Sequence, residues 1–175
     1  MNIAVVSYSL TGNNEALAGG VARELQAEHI KISEPRQRTT ATVVLDMIFN
    51  RIPKVKPSPA SLEKYDLILF VGPVWMGQAA SPFRTYLKYF GAHPQQYAFA
   101  SISGGAINTN PKLAGDLVKR AGREPKALID LHIADLLPSG PKPTMKDTSA
   151  YRINEDDLKK LTDTVSSAVR KITRN

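Results

Sequence analysis

The chain contains no cysteine. This absence excludes thiol nucleophiles, iron–sulfur clusters, thiolate zinc sites and disulfide scaffolds, so any redox chemistry has to come from a bound cofactor. No stretch approaches the roughly 20 consecutive apolar residues that a membrane-spanning helix needs. The sequence also lacks G-x-x-x-x-G-K-[ST] and G-x-G-x-x-G at its first predicted strand–helix turn, which argues against two common nucleotide-binding sites.

Acidic residues are outnumbered by basic ones, since the chain has 16 Asp and Glu and 23 Lys and Arg, which gives a net charge of +7. Such a surface attracts anions, whether phosphorylated cofactors, acidic proteins or nucleic acids. The basic residues are scattered and have no aromatic residues between them to stack on bases, so we expect no specific nucleic-acid binding. The apolar run at 3–6 has no basic residue before it, which is unlike a signal peptide, and we expect a cytoplasmic protein without membrane insertion.

Apolar periodicity predicts strands that alternate with helices about five times along a single domain, residues 1–175. The predicted strands are 2–7, 29–33, 66–72, 97–103 and a segment within 127–133, and the predicted helices are 15–28, 81–90, 111–121 and 155–173. Connections of this length favour an α/β fold, a doubly wound five-stranded parallel sheet with helices on both faces. The continuous apolar run LILFV suits the centre of such a sheet.

Two segments fall outside this pattern. Residues 39–52 predict an extra helix between strands two and three, followed by a proline-rich connector. We expect its apolar residues to pack over the sheet edge, and a lid over a ligand or a partner surface are the alternatives. Residues 138–151 contain three prolines and predict a mobile loop.

Ligands of open α/β sheets bind beyond the carboxyl ends of the strands, where the strand order reverses. The loop after the first strand, S-L-T-G-N-N, lies directly ahead of a helix, where backbone amides can converge on an anion. Ser9, Thr11 and Asn14 add neutral donors, and Gly12 permits a tight backbone. The loop has no Lys or Arg, which suits a terminal phosphate monoester, while a simple helix cap and turn is the alternative.

The next two loops indicate a planar ligand. Trp75, the only tryptophan, lies in the loop G-P-V-W-M-G after the third strand, where it is placed to stack on a flat heterocycle, with a plain core position as the alternative. The loop S-G-G-A that starts at Ser103 follows the next strand. Its glycines let backbone amides approach a ligand edge closely.

At these residues the chain resembles the flavodoxin family. SLTGNN resembles the family's phosphate loop, usually S/T-x-T-G-x-T, GPVWMG resembles its second flavin-binding loop, and SISGGA occupies the place of the third. The resemblance covers almost the whole chain. Asn14 stands where the family usually has threonine, and the basic charge is unlike the acidic electron-carrier flavodoxins, which puts docking onto their basic partners in doubt.

The resemblance implies non-covalent binding of flavin mononucleotide (FMN), with no metal ligand and no catalytic acid or base among the side chains. The implied FMN-binding residues are Ser9, Leu10, Thr11, Gly12, Asn13 and Asn14 at the phosphate, Pro73, Val74, Trp75, Met76 and Gly77 beside the isoalloxazine, and Ser103, Gly104 and Gly105 at its pyrimidine edge. The histidines His29, His93 and His132 are expected to be surface or capped residues.

Two functions remain open, each with a small-molecule or protein redox partner. One is an FMN-dependent oxidoreductase that passes reducing equivalents from NAD(P)H to a quinone or similar acceptor, which the basic surface favours. The alternative is a non-enzymatic electron carrier. A phosphoacceptor receiver of the same fold would need carboxylates where the chain has Ser7-Tyr8 and Gly72-Pro73, so we set it aside.

Overall fold

A five-stranded parallel sheet forms the centre of the computed structural model, which describes residues 1–35, 39–104, 110–138 and 143–174. Its strands stand in the order β2-β1-β3-β6-β7. A short antiparallel hairpin, β4–β5, follows β3. The strands are β1 Ile3–Ser7, β2 Glu28–Lys31, β3 Leu67–Val71, β4 Val74–Trp75, β5 Gln78–Ala79, β6 Gln96–Ser103 and β7 Leu128–His132. The predicted doubly wound sheet is confirmed, and its order reverses beside β1.

Helices cover both faces of the sheet. The helices α1 and α6 pack on one face, and α3 and α4 pack on the other. Their bounds are α1 Asn13–Leu25, α2 Thr40–Ile48, α3 Phe83–Gly91, α4 Leu113–Ala121, α5 Met145–Ala150 and α6 Glu155–Thr173. No helix in the described ranges has the length and apolar character to cross a bilayer.

The central strand β3 explains why the sheet needs two helical layers. All five of its residues are 0% exposed. Ile68 and Phe70 pack in the α3/α4 layer, whereas Leu67, Leu69 and Val71 pack in the α1/α6 layer. Successive side chains of a strand point to opposite faces, so an uninterrupted apolar run fills both layers at once.

The predicted extra helix is confirmed as α2, which begins with a capping box between Thr39 and Thr42. Its packing differs from the expectation. Met47 is buried, but Ile48 and Phe49 are 65% and 63% exposed. The prediction that the apolar residues pack over the sheet edge is therefore wrong for the outer side of this helix, because its buried contacts, such as those of Asp46 and Met47 with Arg84, are on its inner side.

The predicted loop 138–151 contains a helix. α5 begins after Thr144, whose hydroxyl accepts from the Asp147 N–H while the Asp147 carboxylate accepts from the Thr144 N–H. This capping box stabilises a short helix despite the prolines before it. Residues 139–142 of the predicted loop lie outside the described residues.

Candidate functional site

The three predicted loops start from neighbouring points at the carboxyl edge of the sheet. Ser7 at the end of β1 pairs with Val71 of β3, and Val71 pairs with Ala100 of β6. The hydrogen bonding continues beyond β1 and β3, since the Tyr8 N–H donates to Val71 O over 3.1 Å and the Gly72 N–H donates to Ala100 O over 3.1 Å. The fold therefore brings together loops that are distant in sequence.

The first loop leads into the positive end of α1. Gly12 is the residue before the helix and has φ of 93°, a left-handed conformation that favours glycine. Its N–H donates to Ser9 Oγ over 3.0 Å, which closes the turn. Leu10 and Thr11 are exposed. No side chain in the described part of the chain caps α1, and a Cβ on Gly12 would meet open space. The helix end is thus accessible to an anion.

Asn13 and Asn14 are buried at the start of α1 and tie this helix to other segments. The side-chain amide of Asn14 donates to Ile102 O and accepts from Ile102 N–H, each over 3.0 Å. Asn13 donates to Tyr151 O over 3.0 Å and accepts from Ile153 N–H over 3.3 Å. The Asn14 side chain, predicted as a phosphate donor, is thus engaged with β6.

The second loop is a tight hairpin. Met76 and Gly77 have φ of 52° and 76° and form the turn between β4 and β5, a backbone whose twist matches that of the strands. Met76 is 70% exposed at the tip. Pro73 O accepts from Ala80 N–H over 3.1 Å at the open end of the hairpin.

Trp75 is half-buried on this hairpin. It packs against the core of the α3/α4 layer, as does Val74, and its ring meets that of Tyr8 edge-on, with centroids 6.0 Å apart at 82°. At Gly72, the first residue of this loop, a Cβ would overlap the ring of Phe83. The tryptophan therefore contacts the residue that directly precedes the first loop.

The third loop is described as far as Gly104, and the predicted residue Gly105 lies outside the described residues. Ser103 is 5% exposed at the end of β6. The Thr148 hydroxyl of α5 donates to Gly104 O. Together with the contacts of Asn13, this bond holds the segment after β7 against both the first and third loops.

A polar network at the third loop was missed by the sequence analysis. His132 is 4% exposed, its Nδ1 lies 3.0 Å from Ser103 Oγ, and its Nε2 lies 3.3 Å from Asp130 Oδ2. Asn110 donates through Nδ2 to Asp130 Oδ1 over 2.9 Å. Of the two positions expected for the histidines, surface or capped, His132 has the capped one, because Ser103 and His132 are directly paired across β6 and β7. The network places the Ser103 hydroxyl beside the His132 imidazole.

The other two histidines are half-buried. His29 Nε2 lies 2.9 Å from Ser7 Oγ, and burial lowers the pKa of this imidazole, with the positive charge of Lys31 lowering it further. His93 stacks on Tyr89 with ring centroids 4.0 Å apart. Within the described ranges, no three His, Asp or Glu residues come together as metal ligands.

A concavity lies at the opposite edge of the sheet, where β6 begins. It is an open groove whose polar lining includes Lys126, Thr164 and Lys171. It lies at the amino ends of the strands, away from the point where open α/β sheets bind ligands. The carboxyl edge is therefore the better candidate for the functional site.

No family model matches the chain, and no curated protein matches it either. Solved structures do match. A flavodoxin from the domain Archaea aligns over 99% of this chain and 99% of its own, with a TM-score of 0.54 and 13% identity. The chain has the flavodoxin-like fold.

Two further structures with this fold are similar. A flavoprotein from Lactobacillus acidophilus NCFM, solved in complex with FMN, covers 74% of this chain and 92% of its own, with a TM-score of 0.60 and 22% identity. A WrbA-like flavodoxin from Agrobacterium tumefaciens covers 99% of both chains, with a TM-score of 0.52 and 16% identity. At these identities the flavodoxin-like fold is the property that the chains share.

Proposed function

We propose that the chain binds FMN non-covalently at the carboxyl edge of the sheet and acts as an oxidoreductase that passes reducing equivalents from NAD(P)H to a quinone or similar acceptor. The observation that carries this proposal is the joining of the three loops. Tyr8 contacts Trp75, and Asn14 is bonded to Ile102 directly before the third loop. The L. acidophilus flavoprotein, which has this fold, was solved with FMN.

The first loop fits a phosphate monoester. Gly12 leaves open space before an α1 end that no described side chain caps. Backbone N–H groups and the partial positive charge of the helix end stabilise an anion there without any Lys or Arg in the loop. Thr11 is exposed and adds a hydroxyl donor.

The second and third loops fit a planar ring system. When bound, FMN supplies hydride and single-electron chemistry through its isoalloxazine ring. Trp75 lies next to Tyr8, and we expect its ring to stack on the isoalloxazine. Ser103, which contacts His132, is the residue that we expect to hydrogen-bond the pyrimidine edge. We therefore expect the first loop to bind the phosphate, the second loop to stack on the isoalloxazine and the third loop to hydrogen-bond its edge.

The net charge of +7 supports NAD(P)H as the electron donor, because a positive field raises the local concentration of a phosphorylated dinucleotide. The same field disfavours docking onto the basic partners of acidic electron carriers. A role as electron carrier remains the alternative, and it calls for an acidic protein partner.

FMN binding is tested by titrating the purified chain with FMN and following flavin absorbance and fluorescence. We expect a yellow, stoichiometric complex. Riboflavin should bind more weakly, since it lacks the phosphate for the first loop. A colourless protein that does not bind added FMN would refute the proposal. Equal affinities for riboflavin and FMN would show that the first loop does not bind the phosphate.

The stacking role is tested by Trp75→Ala. Loss of the stacked ring should weaken FMN binding about fivefold or more, from a stacking free energy on the order of 1 kcal/mol. The matched control is Phe49→Ala, which removes an exposed aromatic ring from α2 and should leave FMN binding unchanged. An unchanged dissociation constant for Trp75→Ala would place that ring outside the site.

The enzymatic proposal is tested by mixing the FMN complex with NADH or NADPH without oxygen. Rapid bleaching of the flavin absorbance, followed by reoxidation with a quinone, is the expected result. If neither dinucleotide bleaches the flavin while dithionite does, the electron carrier is the correct function.

A further inference from the structure

The outward side of α2 and the residues after it form an exposed apolar surface, which we call the α2 face. Its members are large apolar side chains that are 40–65% exposed, namely Val44, Leu45, Ile48, Phe49 and Ile52. A helix on a protein surface ordinarily turns its apolar stripe inward and its polar side outward. On α2, large apolar side chains face solvent as well, although Met47 on the inner side is buried.

The position of α2 is fixed from its inner side by Arg84, which is 1% exposed near the start of α3. Its Nη1 donates to Asp46 O over 2.7 Å and to Arg51 O over 3.0 Å. The connector is also bonded to α3, since Thr85 donates to Pro53 O over 2.7 Å. Because buried polar groups hold the inner side, the apolar side is left facing solvent.

The exposed charges of the segment that contains α2 have one sign. Among residues 39–57, the exposed charged side chains are Arg51, Lys54 and Lys56, and the single acid, Asp46, is buried. The Arg51 guanidinium lies 5.5 Å from the centroid of the Phe49 ring. A symmetric contact with a second copy through this face would bring together two surfaces of the same charge. The occupant that suits this surface is therefore anionic and apolar at the same time.

We propose that the α2 face docks the protein on an anionic lipid bilayer as a peripheral contact. Its five apolar side chains offer no hydrogen-bonding groups for directional recognition of a protein partner. An apolar helix side flanked by Lys and Arg is the pattern of interfacial helices, which bury apolar side chains at the acyl boundary while the cations meet lipid phosphates.

Docking would bring lipid near the hairpin that carries Trp75. Gln78 of that hairpin accepts from Arg84 over 3.2 Å and from Arg120 over 3.0 Å, and Arg120 also donates to Asn50 Oδ1 over 3.0 Å at the end of α2. The hairpin and α2 are thus held by the same two arginines. The membrane contact itself does not depend on FMN binding.

The test is sedimentation of the full chain with vesicles of phosphatidylglycerol and phosphatidylcholine, and with vesicles of phosphatidylcholine alone. We expect binding to the anionic vesicles, weakened by salt. The double variant Ile48→Ser/Phe49→Ser should bind at least about tenfold more weakly because it loses apolar area. Its matched control is Met145→Ser, at an apolar residue 71% exposed on α5, and this control should bind like the parent chain.

The charge is tested by Arg51→Glu/Lys54→Glu, which should also weaken binding at least about tenfold. Lys159→Glu/Lys160→Glu changes the net charge equally on α6, in the opposite helical layer, and should weaken binding much less. Circular dichroism of each variant checks that it is folded. Equal losses for both charge variants would overturn the proposal, as would absence of vesicle binding. Sedimentation equilibrium showing a dimer that Ile48→Ser/Phe49→Ser dissociates would overturn it in favour of a second copy.

Discussion

Replacing Asn14 with alanine should destabilise the fold by about 2–4 kcal/mol, because it removes two hydrogen bonds and leaves their partners buried. Both bonds are 3.0 Å long and join the Asn14 amide to the N–H and C=O of Ile102, a residue that is 2% exposed. Each bond contributes about 1 kcal/mol net, and each unpaired backbone group adds a desolvation penalty of about 1 kcal/mol or more.

The assay is urea unfolding followed by circular dichroism, with the midpoint and slope fitted for each chain. Thr11→Ala is the matched control, since Thr11 is exposed in the same loop and should change stability by less than about 0.5 kcal/mol. Asn14→Thr, which introduces the residue usual in the flavodoxin family, should lie between the two, because one hydroxyl oxygen, although it can donate and accept, cannot occupy the positions of both amide atoms. A change below about 0.5 kcal/mol for Asn14→Ala would refute the assignment of Asn14 as the link between α1 and β6.

Three further predictions concern stability. Gly72→Ala should destabilise the fold by about 1–3 kcal/mol, because the new methyl group overlaps the Phe83 ring. Gly115→Ala, in open space within α4, should instead stabilise the fold by about 0.5–1 kcal/mol. Urea midpoints of the two variants that move in the same direction would contradict this prediction. Ser103→Ala should lower the unfolding free energy by about 1 kcal/mol as His132 loses a partner, and thermal melts identical to the parent would contradict it. Burial holds the pKa of His29 in the folded chain below its ordinary value of 6.5. The contribution of neutral His29 to the free energy of unfolding is therefore full above pH 6.5 and falls as the pH decreases towards the folded pKa. His29→Gln should flatten this part of the pH–stability curve, and an unchanged slope would contradict the prediction.

The sheet could be predicted from the sequence because its signal is local. LILFV in β3 is apolar at every position, and burial in both layers is the arrangement that satisfies such a run. The three loops could be located for the same reason, since each follows a recognisable strand. The helix α5 also had a local signal, the T-x-x-D pattern from Thr144 to Asp147, which the neighbouring prolines outweighed in our interpretation.

The rest depends on contacts between distant residues. Nothing near Asn14 in sequence indicates that its amide bonds Ile102, 88 residues away. The burial of His132 follows from strand pairing with Ser103, which requires the register of β6 and β7. Likewise, the orientation of α2 depends on Arg84, which belongs to another helix. The apolar pattern of α2 alone predicted that its apolar residues would be buried, whereas many of them face solvent.

The guanidinium of Arg84 also limits how this chain can be shortened. Three of its acceptors, Asp46 O, Met47 Sδ and Arg51 O, belong to the segment between β2 and β3. Excising that segment to obtain a minimal domain would remove these acceptors together with residues that cover Arg84, and would leave its guanidinium with Gln78 and water as partners. A shortened chain would therefore place a cation on the surface of α3 where the full chain has a buried contact, so the segment and Arg84 have to be redesigned together.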